Sequence, residues 1–332
     1  MYIVETYTTA VILTFITMLC WGSWANTQKI AKGYRFELFY WDYVIGILIF
    51  SLLIGFTLGS KGPSGMGFLA NMLQADQGNI LSAILGGVIF NLSNILLVAA
   101  IAIAGMAIAF PVGVGLCMVL GVIINYIAAP QGDAFTLFLG VGLVTVAIVL
   151  DALAYRKLAT SNQKTPAKGI ILSVLAGFLM AWFFRFVASS IATNLEMPEP
   201  GKLTPYTAFF FFVIGIVVSN FIFNTILMKR PIEGKPVTFS DYFKSDAKSH
   251  LAGIAGGMVW AVGTSLSLIA AGKAGYAISF GLGQGATLIG ALWGVFIWKE
   301  FEKAPKGTSK LLIPMFLLFF AGLGFIIYAG SH

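Results

Sequence analysis

The chain has 332 residues, of which 58% are hydrophobic and 10% are charged, with a formal net charge of +7. Its mean hydropathy of +0.91 excludes an ordinary soluble domain, because such domains carry about 25% charged residues. The composition therefore predicts a protein embedded in a lipid bilayer. Glycine and proline recur inside the apolar stretches, which favours helices over the alternating strands of a membrane barrel.

About 20 apolar residues cross the hydrocarbon core as one helix, and the chain contains ten such stretches. The predicted helices span about 7–29, 36–58, 79–103, 106–129, 134–155, 169–194, 205–228, 250–273, 276–298 and 310–330. The predicted fold class is an all-α membrane protein with ten transmembrane helices.

An internal repeat organises these helices. Residues 86–127 recur as residues 256–297, at a constant offset of 170 and without a gap, around the shared pattern A-G-x-A-I-x-F-x-x-G-x-G. The offset aligns the sequences of the third and fourth helices with those of the eighth and ninth. Residues 1–158 therefore form one five-helix half and residues 159–332 the other. Because five is odd, the second half is expected to be inverted in the membrane, as in many secondary transporters.

Loop charge predicts the orientation. Sixteen of the 20 Lys and Arg residues fall in the loops that follow the first, fifth, seventh and ninth helices. Lys and Arg accumulate on the cytoplasmic side, so both termini are expected outside a cytoplasmic (inner) membrane. The basic residues are divided among four short loops, which argues against a nucleic-acid partner.

Charged residues inside a membrane are costly and usually functional, and two stand out. Asp42 lies one to two turns into the second helix and is predicted to accept the coupling proton or to lock the gate; the alternative is an interfacial residue paired with Lys32 or Arg35. Arg185 lies in the sixth helix. It is interpreted as a solute contact, as a charge whose repulsion drives proton release, or as a structural cation that binds helix-end carbonyls. Asp151, near the end of the fifth helix, is interpreted as a solvated helix-end residue.

Amide and indole side chains form the second group of candidates. Residues three or four apart share a helix face, which pairs two asparagines on the third helix and two on the seventh. Indole faces beside amide donors suit a sugar or a planar heterocycle, although amides also join helices and Trp also marks membrane interfaces. The predicted substrate-binding residues are Trp21, Trp24, Asn26, Asn91, Asn94, Trp182, Arg185, Asn220, Asn224, Trp260, Thr264 and Gln284.

Matched weak points occur in the fourth and ninth helices. Pro111 and Gly113 lie in the fourth helix, and Gly281 and Gly283 lie in the ninth. Proline removes a helix hydrogen bond and glycine permits bending, so these four residues are predicted hinges. Close packing through small residues is the alternative interpretation.

The sequence gives no sign of an enzyme. It has no P-loop, no cluster of metal ligands and no nucleophile elbow, and its two histidines are His250 and the terminal His332. We predict no cofactor and no metal ion, so a gradient of an ion or solute must drive any active transport.

Short motifs carry a resemblance to a known family. MYIVE begins the chain, followed by W-G-S-W at 21–24, Y-W-D-Y at 40–43, G-G-x-x-x-N-x-x-N at 86–94 and L-G-V-I-I-N-Y at 120–126. In these motifs and in its ten helices the chain resembles the drug/metabolite transporter superfamily, specifically the ureide permeases and the bacterial glucose/ribose porters, and more distantly the L-rhamnose/proton symporter. The long central cytoplasmic loop of ureide permeases is missing here.

The resemblance implies a proton-coupled importer of a small polar solute, either a sugar or a ureide or nucleobase, working by alternating access. The expected partners are that solute, protons and the lipid bilayer; the oligomeric state stays open. An exporter of drugs or metabolites and an uncoupled facilitator are the alternatives.

Overall fold

A computed structural model describes residues 1–104, 106–158, 167–232 and 234–331, without the side chains of Met106, Ala107 and Phe110. Within these residues, ten helices are long and apolar enough to cross a membrane. They are α1 (Tyr7–Ile30), α2 (Phe36–Phe56), α3 (Gln77–Ala104), α4 (Met106–Ala128), α5 (Ala134–Leu158), α6 (Ala167–Ser190), α7 (Pro205–Lys229), α8 (Ala247–Ala274), α9 (Tyr276–Ile297) and α10 (Ser309–Ala329).

All ten predicted helices are present, and their ends differ from the predictions by a few residues for local reasons. Helix α6 stops at Ser190, four residues early, because Ile191 pairs with Leu203 in an isolated bridge. Helix α8 begins three residues early because the Asp246 carboxylate accepts the backbone N–H of Ser249 at 3.0 Å. Such side-chain caps satisfy the orphan N–H groups of a first turn.

Shorter helices accompany the ten spans. Helix α1 is interrupted after Ser23 and resumes at Asn26–Ile30. A short helix at Phe68–Gln74 lies between α2 and α3, and another at Phe239–Phe243 lies between α7 and α8. We call the end of the bundle that carries segments 31–35, 230–232, 234–246 and 298–308 the basic end.

Helix contacts recur between the first five helices and the last five. Helix α3 packs against α6 and α7, and its counterpart α8 packs against α1 and α2. Helix α4 packs against α6 as α9 packs against α1. The pairs α2–α7 and α5–α10 join each helix to its own counterpart.

Two glycines at equivalent repeat positions bring backbones together. A Cβ added to Gly87 would overlap the carbonyl oxygen of Phe212 on α7. A Cβ added to Gly257 would overlap the carbonyl oxygen of Tyr43 on α2. Small residues allow this approach, which is how helices gain packing contacts in a bilayer.

Candidate functional site

A cavity of about 320 Å³ runs from the basic end to the middle of the bundle. Its walls come from α1, α3, α4, α5, α6, α8 and α9, so both halves of the chain contribute. At the basic end it reaches solvent beside Lys29, Trp298 and Glu300, all partly exposed. A pocket of this size, apolar with a few polar groups, is typical of small-molecule sites.

A layer of aromatic rings closes the deep end of the cavity. The ring centroids of Phe90 and Trp260 are 4.6 Å apart, and those of Phe90 and Phe183 are 5.2 Å apart. Phe212 stacks on Trp260 at 6.2 Å and lies 5.7 Å from Phe90. We call these four residues the aromatic layer. Aromatic pairs at these separations attract each other beyond simple area burial.

A break in α9 supplies polar groups to the wall. The α-helix that starts at Tyr276 ends at Gly283 and resumes at Ala286, so Gln284 and Gly285 form a turn inside the span. A Cβ at Gly283 would crowd the Trp21 ring, and one at Gly285 would crowd Met18. Gln284 and Thr287 line the cavity at this turn. Interrupted helices near the bilayer centre are where transporters place their binding sites.

Tryptophan side chains in the wall are held by hydrogen bonds. Nε1 of Trp21 donates to Oγ1 of Thr264 at 3.0 Å. Nε1 of Trp298 donates to Oδ1 of Asn26 at 2.6 Å. The ring of Trp24 packs 4.7 Å from that of Tyr43. These bonds fix the ring orientations, so that the wall presents indole surface in a preset arrangement.

Asn94 connects the cavity to a buried polar chain. Its Nδ2 donates to the hydroxyl of Tyr40 at 3.1 Å, and that hydroxyl donates to Oδ1 of Asn91 at 2.8 Å. Nδ2 of Asn91 donates in turn to Oγ of Ser219 on α7 at 2.9 Å. Asn94 is the member that lines the cavity. The chain therefore joins the site to the interface of α2, α3 and α7.

The predicted substrate-binding residues differ in their distance from the cavity. Six line the cavity: Trp21, Trp24, Asn26, Asn94, Trp260 and Gln284. Thr264 and Asn91 lie directly behind it, bonded to lining residues or their partners. Asn220 and Asn224 are buried on α7, and Nδ2 of Asn224 donates to the carbonyl oxygen of Glu37 at 2.9 Å.

The two remaining substrate-binding candidates lie outside the lining. Trp182 is 36% exposed on the outer side of α6 and packs against Phe186. Arg185 lies five residues before the end of α6, near Tyr276. Helix α6 begins at the basic end, so Arg185 belongs to the opposite end from Asp42 and the two do not meet.

The predicted hinge residues lie at packing contacts. Pro111 lies within α4 and lines the cavity, yet α4 continues through it. The carbonyl of Gly113 lies against Gly177 of α6. Gly281 and Gly283 precede the break in α9, so of the two repeated segments α9 carries the interruption.

Asp42 lies apart from the cavity lining, in a cluster at the basic end. The Tyr242 hydroxyl donates to Oδ1 at 2.6 Å, and the Tyr34 hydroxyl donates to Oδ2 at 2.7 Å. Nδ1 of His250 lies 2.9 Å from Oδ2. Burial and the Asp42 carboxylate raise the pKa of both phenols, so they remain donors at physiological pH. We call these four residues the Asp42 cluster.

The cluster replaces the partners that the sequence suggested for Asp42. The guanidinium of Arg35 binds the carboxylate of Glu37 at 2.7 Å. His250 and Tyr242 lie 208 and 200 positions away in the chain, and no local pattern signals them.

Asp151 corrects a second expectation. The sequence predicts a solvated helix-end residue, but Asp151 lines the cavity, and its Oδ1 atom is buried without a hydrogen-bond partner among the described residues. One turn later on the same face of α5, the Tyr155 hydroxyl donates to Oε2 of Glu300 at 2.7 Å. The spacing of four residues between Asp151 and Tyr155 was the available signal, because it places both on one face.

Comparisons with known proteins agree with this architecture. A solved crystal structure with 15% identity superimposes with a TM-score of 0.67 and covers 96% of each chain, which supports the fold. Ureide permease 1 of Arabidopsis thaliana is 23% identical over 392 residues and covers all of both chains. Probable ureide permease A3 of Vigna unguiculata is 24% identical over 377 residues, covering 92% of this chain and 99% of the relative.

The family assignment rests on nearly the whole length of the chain. A sequence model described as "Ureide permease" matches residues 39–169 and 156–329. These ranges include the lining segments of α3 to α9 and the break in α9. The chain therefore belongs to the ureide permease family.

Proposed function

We propose that the protein is a secondary transporter that moves a small, polar, uncharged solute across the bilayer by alternating access. The cavity carries this proposal: it ends blindly at the aromatic layer, and it offers indole faces beside the amides of Asn94 and Gln284. An indole face binds a flat ring or the apolar face of a sugar, and amides bind its polar edge. Its relatives are named as ureide permeases, and a ureide presents such a polar edge.

Alternating access is supported by the recurring helix contacts. The aromatic layer closes the site toward one end, while the basic end is open. If the halves are inverted repeats, exchanging their conformations would close the basic end and open the other. We expect this exchange to separate Phe90 from Trp260, because the two residues belong to different halves of the chain.

Binding tests the placement of the site. We expect Asn94→Ala and Trp260→Ala to weaken binding of the probe ligand allantoin about five- to 150-fold, since each removes a buried contact costing about 1–3 kcal/mol. Calorimetric titration of purified, monodisperse protein would measure the loss. Trp182→Ala is the matched control, because it removes an indole of α6 that faces outward. Wild-type affinity in both cavity variants would refute the placement.

Thiol labelling tests the orientation. Lys306 at the basic end and Lys61 at the opposite end are both exposed, whereas Lys164 in the loop after α5 lies outside the described residues. In a variant with Cys20 and Cys117 replaced by alanine, we expect an impermeant maleimide to label Lys61→Cys in intact cells. Lys306→Cys should react only after the membrane is permeabilised. Labelling of Lys306→Cys from outside would reverse the orientation.

A further inference from the structure

Asp151 is an acidic group in the cavity whose Oδ1 atom has no hydrogen-bond partner among the described residues. It lies within α5, it lines the cavity, and its Oδ1 is buried without a partner. An unpartnered carboxylate oxygen at depth is costly. A costly intramembrane carboxylate of this kind usually has a function, such as binding a proton, an ion or the substrate.

The neighbouring acid, Glu300, has the opposite environment. Oε1 lies 3.0 Å from the ammonium of Lys29, and Oε2 accepts the hydroxyl of Tyr155. Burial raises the pKa of Glu300, but these bonds outweigh it and lower the pKa overall. Glu300 is therefore held as a paired anion, and Lys29, which also lies 4.6 Å over the Trp298 ring, is engaged by it.

Among the described residues that line the cavity, these contacts leave Asp151 as the acid available for proton exchange. The charged and titratable groups that line the cavity with it are Lys29, Tyr155 and Glu300, while Arg156 lines a separate pocket on the outer side of α4 and α5. The fixed negative charge of Glu300 favours a neutral neighbour, because two close carboxylates resist joint ionisation. Pairs of acids in contrasting environments commonly divide into a fixed anion and a group that takes up a proton.

We propose that Asp151 is the proton-binding carboxylate of the transport cycle, an inference that rests on the proposed function. A proton from the solution on one side binds the ionised carboxylate and makes it neutral. The neutral carboxyl is enclosed together with the uncharged solute when the basic end closes, which avoids burying an unpaired charge beside the solute. After the cavity reopens at the basic end, the proton leaves to that solution and the carboxylate is restored. The empty protein then returns with the carboxylate ionised, so each cycle moves one proton and one positive charge.

This assignment differs from the one that the sequence suggested. Asp42 is 1% exposed and holds three partners in the Asp42 cluster, away from the lining. A carboxylate with all its partners in place joins segments of the chain. We therefore assign Asp42 a positioning role and Asp151 the coupling role.

Infrared difference spectroscopy tests proton binding without a solute. Purified protein in lipid is titrated through a pH series, and the C=O stretching band of a protonated carboxyl is recorded. We expect Asp151→Asn to remove one such band, while Glu302→Gln, which alters an exposed carboxylate near Glu300, leaves that band in place. An unchanged band in Asp151→Asn would overturn the proposal.

Transport separates coupling from binding. In proteoliposomes with an imposed pH gradient, wild-type protein should accumulate labelled allantoin above its outside concentration. Asp151→Asn should only equilibrate it, while exchange of labelled for unlabelled allantoin persists. Accumulation by Asp151→Asn at the wild-type level would refute the proposal, and its loss in Asp42→Asn alone would return the role to Asp42. If wild-type protein does not carry allantoin, the proposed function fails for that solute, and the infrared titration alone decides the role of Asp151.

Discussion

Replacing Gly257 with alanine is expected to destabilise the protein by about 1–3 kcal/mol or more, the range for overpacking a close contact. The added Cβ would overlap the Tyr43 carbonyl oxygen, with the Tyr43 carbonyl carbon at 2.8 Å and the Ile47 nitrogen at 3.0 Å. All three are backbone atoms, so α2 as a whole must shift. The midpoint of thermal unfolding, followed by circular dichroism in detergent, should fall clearly.

The equivalent substitution in the other half should behave alike. Gly87→Ala meets the Phe212 carbonyl in the same geometry, so we expect a similar loss. Gly142→Ala is the control, since it lies within α5 with nothing within 4 Å of its Cβ position and alanine favours the helix. Wild-type melting of both Gly257→Ala and Gly87→Ala would show that the backbones do not approach as described.

Replacing Asp42 with alanine should release the segment between α7 and α8 from the bundle. The carboxylate joins Tyr242 of that segment to Tyr34 and to His250 at the start of α8. Removing it leaves two hydroxyls and an imidazole without their acceptor, at about 1–3 kcal/mol for each group that stays buried. All three groups are partly exposed and regain some contact with water. We therefore expect the total loss of stability to lie near the lower end of this range.

Limited trypsin digestion would detect this release. The segment contains Lys235 and Lys244, and cleavage there should become faster in Asp42→Ala. Tyr242→Phe should give a smaller increase, because it removes a single bond. Glu302→Gln, which changes an exposed carboxylate at the same end, should digest as wild type. Equal cleavage rates in Asp42→Ala and wild type would contradict the role of the cluster.

Local sequence predicts most of the fold because membrane helices are selected by length and hydropathy. Ten apolar stretches appear as ten helices, and glycine at 283 and 285 marks the place where α9 breaks. Half of the substrate-binding candidates line the cavity, since Trp and amide residues inside apolar stretches are few and conspicuous. Trp182 is also a tryptophan, but it faces outward. The sequence of its own helix does not show which way the side chain faces.

The environments of the acids could not be predicted in this way. Asp42 meets Tyr242 and His250 only after α7 and α8 have packed, and Asp151 meets the Glu300 region only after α9 reaches α1 and α5. The position of Asp151 near the end of the fifth helix predicts a solvated residue, whereas its burial depends on neighbours that are distant in the chain. Pairing of charges across a bundle is a tertiary property, whereas helix length is local.

The positions of the tryptophan residues allow intrinsic fluorescence to report on the state of the cavity. The chain has seven Trp residues, and five of them line the cavity, namely Trp21, Trp24, Trp260, Trp293 and Trp298. Indole emission depends on the polarity and quenching groups around the ring. Filling or closing the cavity therefore changes the surroundings of most emitters at once, so intrinsic fluorescence can follow the transport cycle without a dye, with Trp41 and Trp182 as the constant background.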